Sequence, residues 1–378
     1  MALVQKRAPQ GSARPAFVSV APGFEPALVR ELQEIGVQAT EEPGGAAFTA
    51  TAESLALVHR FSRIAGRVTV KIGAGGAGTL EELAQTARSM PWKDYIPAGQ
   101  PVAVKATANK SRLHFTATIG KKVELAITDA MRGPRLSGPR PPREPAPVIV
   151  RVEGDRASFF LDASGELMHR RGWRLDSAKA PIRENLGAAI LAVAEWEVDE
   201  PLVDPMCGSG TFAIEAAGIA LGDPPGDQRS FAFLNWPSFP AKVWPGAPRS
   251  PRPKGIGVIV ASDRDPGAVR ATTENARRAG VAAHIKVLHR PFVELEPPAR
   301  TGLVVMNPPY GRRIGEGDSS NAVFRHIGTV LRERWSGWRL AILIPDRALL
   351  RDLGIPVESA LLFSNGGLKV GLFIGEVR

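Results

Sequence analysis

The stretch "PLVDPMCGSGTFAIEAAGIAL" (201–221) decides the fold of the chain's second half. An apolar strand, 201–205, runs into a glycine-bearing turn, "DPMCGSGT" (204–211), and then into an apolar helix, 212–221. Such a strand, tight turn and helix N-terminus put backbone N–H groups around a ligand at the carboxyl end of a parallel sheet. Gly208 and Gly210 allow close approach, and Met206 and Cys207 stand where a dinucleotide fingerprint would carry its first glycine. Further buried strands follow at 256–263, 285–289, 302–309 and 339–346, alternating with helices, which predicts a parallel sheet covered on both faces. The segments 359–364 and 368–377 flank Asn365-Gly366-Gly367 and read as a hairpin, so the last strand is expected antiparallel to its neighbour.

Two more signals lie at the ends of these strands. In "ASDRDP" (261–266), Asp263 is placed to accept hydrogen bonds from two ribose hydroxyls, and Asp265 reads as a cap for a helix opening at Pro266. In "NPPYG" (307–311) two prolines cannot donate backbone hydrogen bonds, which leaves the Asn307 side-chain oxygen and the Pro308 carbonyl as acceptors. That pair suits a planar amino group, held with its nitrogen facing a methyl donor while Tyr310 stacks on the ring. Between the first two signals sits an insert, about 223–254, with the aromatic run "FAFLNWPSFPAKVW"; a substrate-facing lid and a packed loop are both open readings.

The first half is read as two smaller α/β units. A strand at 17–20, a helix at 22–35, a hairpin with its tip at 43–45, a helix at 54–65 and a strand at 67–72 give the ferredoxin-like order. The glycines of 73–78 are expected to form a linker. A helix (80–90), a strand (101–108), a basic helix (119–131) and two strands (148–155 and 156–163) follow, interrupted by the proline-rich "RGPRLSGPRPPREPAP" (132–147).

The chain has 378 residues, enough for two or three domains, and a net charge of +10, which suggests an acidic partner such as nucleic acid. Between Lys105 and Arg143 nine basic residues face only Glu124 and Asp129. A single cysteine, Cys207, excludes a disulfide scaffold and a zinc ribbon, and the six scattered histidines show no metal-site spacing. No apolar run has the length of a signal peptide or membrane span, so a cytoplasmic protein is expected.

Taken in order, "DPMCGSGT", "ASDRD" and "NPPYG" resemble the class I S-adenosylmethionine-dependent methyltransferases that act on amino nitrogens. With "APGFEPALVRELQEIG" (21–36), the basic second unit, "HRRGWRLDSAKAPIRENLGAAIL" (169–191) and "FAFLNWPSF" (231–239), the chain from Phe17 to Val377 is similar to the THUMP-domain RNA methyltransferases. It is most similar to the bacterial group that makes N2-methylguanine in large-subunit ribosomal RNA. The resemblance implies an α/β protein with a basic tail (1–15), a ferredoxin-like domain (16–73), a THUMP RNA-binding domain (74–163), a linker (164–185) and a seven-stranded, Rossmann-like class I methyltransferase domain (186–378).

Carried over by residue, the resemblance implies S-adenosylmethionine as cofactor, held by Asp204, Gly208, Ser209 and Gly210, with Asp263 on the ribose. The base-holding motif falls on Asn307, Pro308, Pro309 and Tyr310, and an upstream motif on Arg183, Glu184 and Asn185. Where many relatives carry an aspartate for the adenine, this chain reads "HRPFVEL" (289–295), with Pro291 at about that place and Phe292 as an apolar wall. RNA contacts are expected at Lys105, Lys110, Arg112, Lys121 and Lys122, with no metal and no membrane partner. The rival readings are adenine N6 methylation of RNA or DNA, methylation of a glutamine side chain, and a non-catalytic RNA-binding assembly factor.

Overall fold

The computed structural model describes residues 13–132, 144–175, 182–240, 243, 255–309, 320–357, 359–365 and 368–378. The basic tail through residue 12, the proline-rich stretch at 133–143, part of the linker (176–181), most of the end of the insert (241–242 and 244–254) and 310–319 lie outside the described residues.

The first half is built on one sheet. Its elements are β1 (Arg14–Ser19), α1 (Glu25–Glu34), β2 (Ala39–Glu42), β3 (Gly45–Ala50), α2 (Ala52–Phe61), β4 (Arg67–Gly76), α3 (Leu80–Arg88), β5 (Val102–Asn109), α4 (Thr116–Ala130), β6 (Ala146–Glu153) and β7 (Arg156–Asp162). The first four strands take the ferredoxin-like order β2-β3-β1-β4, and β7, β6 and β5 continue the same sheet beyond β4. Helix starts follow local chemistry: Thr51 and Ser54 form a reciprocal capping box at α2, and the Thr79 hydroxyl caps α3.

The expected linker at 73–78 is corrected here, because β4 runs on through Gly76 and pairs with β7. The glycines are there for close packing. A Cβ on Gly73 would lie 2.4 Å from Met90 Sδ, one on Gly75 2.4 Å from Thr86 Cγ2, and one on Gly76 would fall onto the Glu82 carboxylate. They let α3 lie directly on the strand, and the expected boundary at 73 falls inside β4.

Register sorts the sheet's two faces. Val18, Val70, Leu161 and Val150 share one face and are buried with residues of α1, α3 and α4. The opposite face carries Lys71, Phe160, Ile149 and Lys105 in one row across β4, β7, β6 and β5. Lys105 and Arg151 are exposed there, and the Arg151 guanidinium lies 5.0 Å from the centre of the Phe160 ring.

The second half comprises α5 (Glu184–Val193), β8 (Leu202–Asp204), α6 (Thr211–Ala220), β9 (Ile259–Asp263), α7 (Pro266–Arg278), β10 (Ile285–His289), β11 (Leu303–Met306), α8 (Ser320–Arg334), β12 (Arg339–Ile344), α9 (Leu349–Leu353), β13 (Ser359–Asn365) and β14 (Leu368–Glu376). The strand order is β10-β9-β8-β11-β12-β14-β13, parallel through β12, with β14 antiparallel to both β12 and β13. Alternate residues feed two cores: Leu202, Ile259 and Leu303 face one, and Val203, Val260 and Val304 face the other, with Trp335 and Trp338. Since β8 has β9 on one side and β11 on the other, a crevice opens at its carboxyl end.

The described part of the insert packs against the front unit. Phe231 and Phe233 both pack on the buried His59, with ring centres at 4.8 and 4.5 Å, and Trp236 meets Tyr95 edge-on. Burial drives the His59 pKa down to about 3, so the ring stays neutral. Among the described residues no helix is long and apolar enough to cross a membrane.

If the glycines of β4 serve close packing, Gly75→Val lowers stability by about 1–3 kcal/mol. Gly255→Ala, whose Cβ would meet nothing within 4 Å, leaves it unchanged. Thermal unfolding of the two variants is the check.

Candidate functional site

Three strand ends supply the site. At the end of β8, Asp204 is only 1% exposed and accepts the Met206 N–H on Oδ1 at 3.3 Å. The chain then turns through Gly208 (φ 56°) and Gly210 (φ 84°), left-handed conformations that glycine adopts without strain. Gly210 is also the N-cap of α6, so the free N–H groups of that helix open toward the crevice.

Helix α7 holds the turn from one side. The Thr272 hydroxyl donates to the Gly208 carbonyl at 3.0 Å, and Asn275 Nδ2 donates to the Ser209 carbonyl at 3.1 Å. Opposite stands Asp263, half-buried at the end of β9. Its two carboxylate oxygens each accept one backbone N–H, from Gly208 and from Asp265, both at 2.9 Å. Each oxygen keeps a lone pair for a further donor. Asp265 caps α7 through the Gly267 N–H at 2.7 Å.

At the end of β11, Asn307, Pro308 and Pro309 leave the sheet, and Tyr310 lies outside the described residues. The Asn307 side-chain oxygen is buried and, among the described residues, has no hydrogen-bond partner. An unpaired buried acceptor is costly, by about 1–3 kcal/mol, unless a ligand completes it. Phe292, expected as a wall for the adenine, is 6% exposed and packs its ring 5.7 Å from Trp335, so it is a core residue. Cys207 is buried, and burial together with the nearby Asp204 carboxylate pushes its thiol well above the usual range, which leaves it a poor nucleophile.

The upstream motif reaches the site through a residue that motif reading missed. Arg174 bridges Glu184, Ser209 and Thr211. Asn185 turns away, donating to the Ile64 carbonyl in the front unit.

The expected RNA residues are dispersed. Lys105 lies on the open sheet face and Lys110 just beyond the end of β5. Arg112 is paired with Asp155 (2.6 Å), Lys121 with Glu124 (3.1 Å) and Lys122 with Glu81 (2.9 Å). Among the described residues no group of three or more His, Cys, Asp or Glu side chains is placed to hold a metal.

Residues 171–363 match the family model of the RMKL-like methyltransferase domain, and residues 16–69 match that of the RlmL ferredoxin-like domain. A protein of Syntrophotalea carbinolica named ribosomal RNA large subunit methyltransferase K/L is 34% identical over 94% of this chain. The match covers 53% of that relative, so the chain spans about half its length. A crystal structure described as that of a putative methyltransferase complexed with SAH is 29% identical, with a TM-score of 0.85, over 97% of this chain and 98% of its own. A Listeria monocytogenes structure described as a predicted N6-adenine-specific DNA methylase is 26% identical, with a TM-score of 0.85, over 97% of each chain.

The state of Asp204 can be measured apart from any reaction. Its burial raises its pKa well above the usual value, the Met206 N–H lowers it in part, and the Asp263 charge raises it by the least. A carboxyl whose pKa is higher folded than unfolded costs no stability below the unfolded value, near pH 4, and costs more as pH rises toward the folded one. Asp204→Asn keeps the acceptor for Met206. It is expected to melt at a higher temperature than the parent at pH 7, with the difference closing near pH 4.

Proposed function

This chain belongs to the RMKL-like methyltransferase family, and from that premise we propose that it methylates the exocyclic N2 of a guanine in RNA, namely large-subunit ribosomal RNA. S-adenosylmethionine is the methyl donor on this reading, and a cytoplasmic location follows from the substrate. Residues 16–163 are read as the RNA-gripping part, in the ferredoxin-like and THUMP divisions, and residues 186–378 as the catalytic part. The observation that carries the reading is the buried, unpaired Asn307 oxygen at the strand end beside the glycine turn.

The residues fit such a cofactor. The Gly208–Gly210 turn and the N-terminus of α6 would receive its amino-acid end, and the free lone pairs of Asp263 its ribose hydroxyls. Bound there, the cofactor supplies an electrophilic methyl group on a sulfonium. The chain's own contribution is alignment. Asn307 Oδ1 and the Pro308 carbonyl would accept the two N–H groups of the base and turn its nitrogen toward the methyl. No strong base is needed first, since the proton can leave to water after transfer. A base within a helix is out of reach, so the target nucleotide must be looped or flipped out.

Adenine N6 offers the same geometry to Asn307, and it is the specificity predicted in the description of the Listeria monocytogenes structure. One experiment separates the two. Nucleoside analysis of RNA methylated by the purified protein is expected to give N2-methylguanosine; N6-methyladenosine would overturn the assignment. Asn307→Ala is expected to abolish transfer while RNA affinity stays near the parent's.

The open face of the front sheet supports RNA as the partner. Lys71, Lys105 and Arg151 lie around the half-buried Phe160, a basic field with one aromatic surface for a base. Removing one basic side chain from a phosphate lowers the slope of log affinity against log salt by about 1. Lys105→Glu with Arg151→Glu should therefore flatten the slope, and Lys121→Glu with Lys122→Glu, whose lysines already face Glu124 and Glu81, should change it less.

A further inference from the structure

Arg174 lies outside the three strand ends, yet its guanidinium is the group that ties the glycine turn to the start of α5. Its side chain is 12% exposed and rests 5.1 Å from the Trp173 ring centre. Nε donates to Glu184 Oε1 at 3.0 Å. Nη2 donates to the Ile182 carbonyl at 3.1 Å and to the Thr211 hydroxyl at 2.7 Å, and Nη1 reaches the Ser209 hydroxyl at 3.4 Å. Ser209 and Thr211 flank Gly210, the residue on which the turn becomes helix.

The turn does not need Arg174 in order to form. The Gly210 N–H already donates to the Cys207 carbonyl, and Thr272 and Asn275 hold the backbone of Gly208 and Ser209 from the α7 side. What Arg174 fixes, together with the Ile182 carbonyl that accepts the Thr211 hydroxyl at 3.3 Å, is the two side chains. Its placement is electrostatically adverse as it stands, because a cation sits at the positive end of the α6 dipole and must be offset by Glu184. An anionic group arriving at that helix end would meet both the dipole and the guanidinium, and would relieve the conflict.

We propose that Arg174 is a positioning residue that sets cofactor affinity, by holding Ser209 and Thr211 in the orientation that receives the carboxylate end of S-adenosylmethionine. The inference rests on reading the Gly208–Gly210 turn as the cofactor site. A lysine keeps the charge but not the fork that spans Glu184 and Thr211. The function therefore belongs to the shape of the guanidinium as much as to its sign.

Calorimetric titration of the whole protein with S-adenosylhomocysteine tests it. Arg174→Ala and Arg174→Lys should each weaken binding by about tenfold or more, the scale of a missing charge-assisted hydrogen bond. Thr211→Val, which removes both the hydroxyl and the acceptor of Nη2, should weaken it, Thr211→Ser should restore it, and Arg174→Ala with Thr211→Val should be less than additive. RNA affinity should stay at the parent's level throughout. Variants that melt earlier yet bind S-adenosylhomocysteine as the parent does would reduce Arg174 to a structural role and overturn the inference. If the parent itself binds none, the reading of the turn as a cofactor site fails and the inference falls with it.

Discussion

Glu215 lies on α6, one turn past the glycine loop, and it is a buried carboxylate through which the two halves of the chain meet. Arg63 of the front unit donates to it at 3.0 Å and Arg171 of the connector at 3.5 Å, with the Glu215 side chain 1% exposed. A second carboxylate balances the cluster: Glu31 accepts the Ser62 hydroxyl and the Arg63 backbone N–H. Burial pushes the Arg63 pKa down and the Glu31 pKa up, so each charge is held only by its partners. Losing one partner of such a set costs about 3–5 kcal/mol, because the other stays buried and uncompensated. Gly218 shows how tight the joint is, since a Cβ there would lie 2.9 Å from Arg63 Nη2. The front sheet is thereby keyed to the helix whose first residues form the candidate cofactor turn.

Elements with local signatures were legible in the sequence. The β8 to β12 series, the final antiparallel hairpin and the Asp265 cap each depend on alternation, turn residues or a cap within a few positions, and all lie where the pattern puts them. The continuous front sheet was not legible. Four glycines in 73–78 look like a linker because the cause of their smallness, the side chains of Thr86, Met90 and Glu82, arrives from α3 and the residues just after it. The pairing of β4 with β7 joins residues about ninety positions apart, and no local periodicity encodes it.

The candidate site divides in the same way. Asp204, Gly208, Gly210, Asp263 and Asn307 sit in short motifs at strand ends, where backbone geometry and chemistry are set together. Thr272, Asn275 and Arg174 reach the turn from other elements, and nothing in their own neighbourhoods announces it. Phe292 shows a different limit. An aromatic after a strand is legible as apolar, but only the packed structure decides between cleft and core, and Trp335 takes its ring. The basic helix is a milder case: its lysines are real, but Glu81 and Glu124 lie beside them.

The insert bears on how a bound RNA would be presented. Phe231, Phe233 and Trp236 are buried against His59 and Tyr95, which makes this run a second joint between the halves, alongside the Glu215 cluster. The open sheet face and the cleft at β8, β9 and β11 are therefore held by both an ionic and an aromatic contact, and neither can shift without breaking buried packing. A protein built this way acts as a fixed spacer on the proposed reading. Selection of the nucleotide then depends on the RNA, whose gripped segment and exposed base must be separated by the span that the two joints impose.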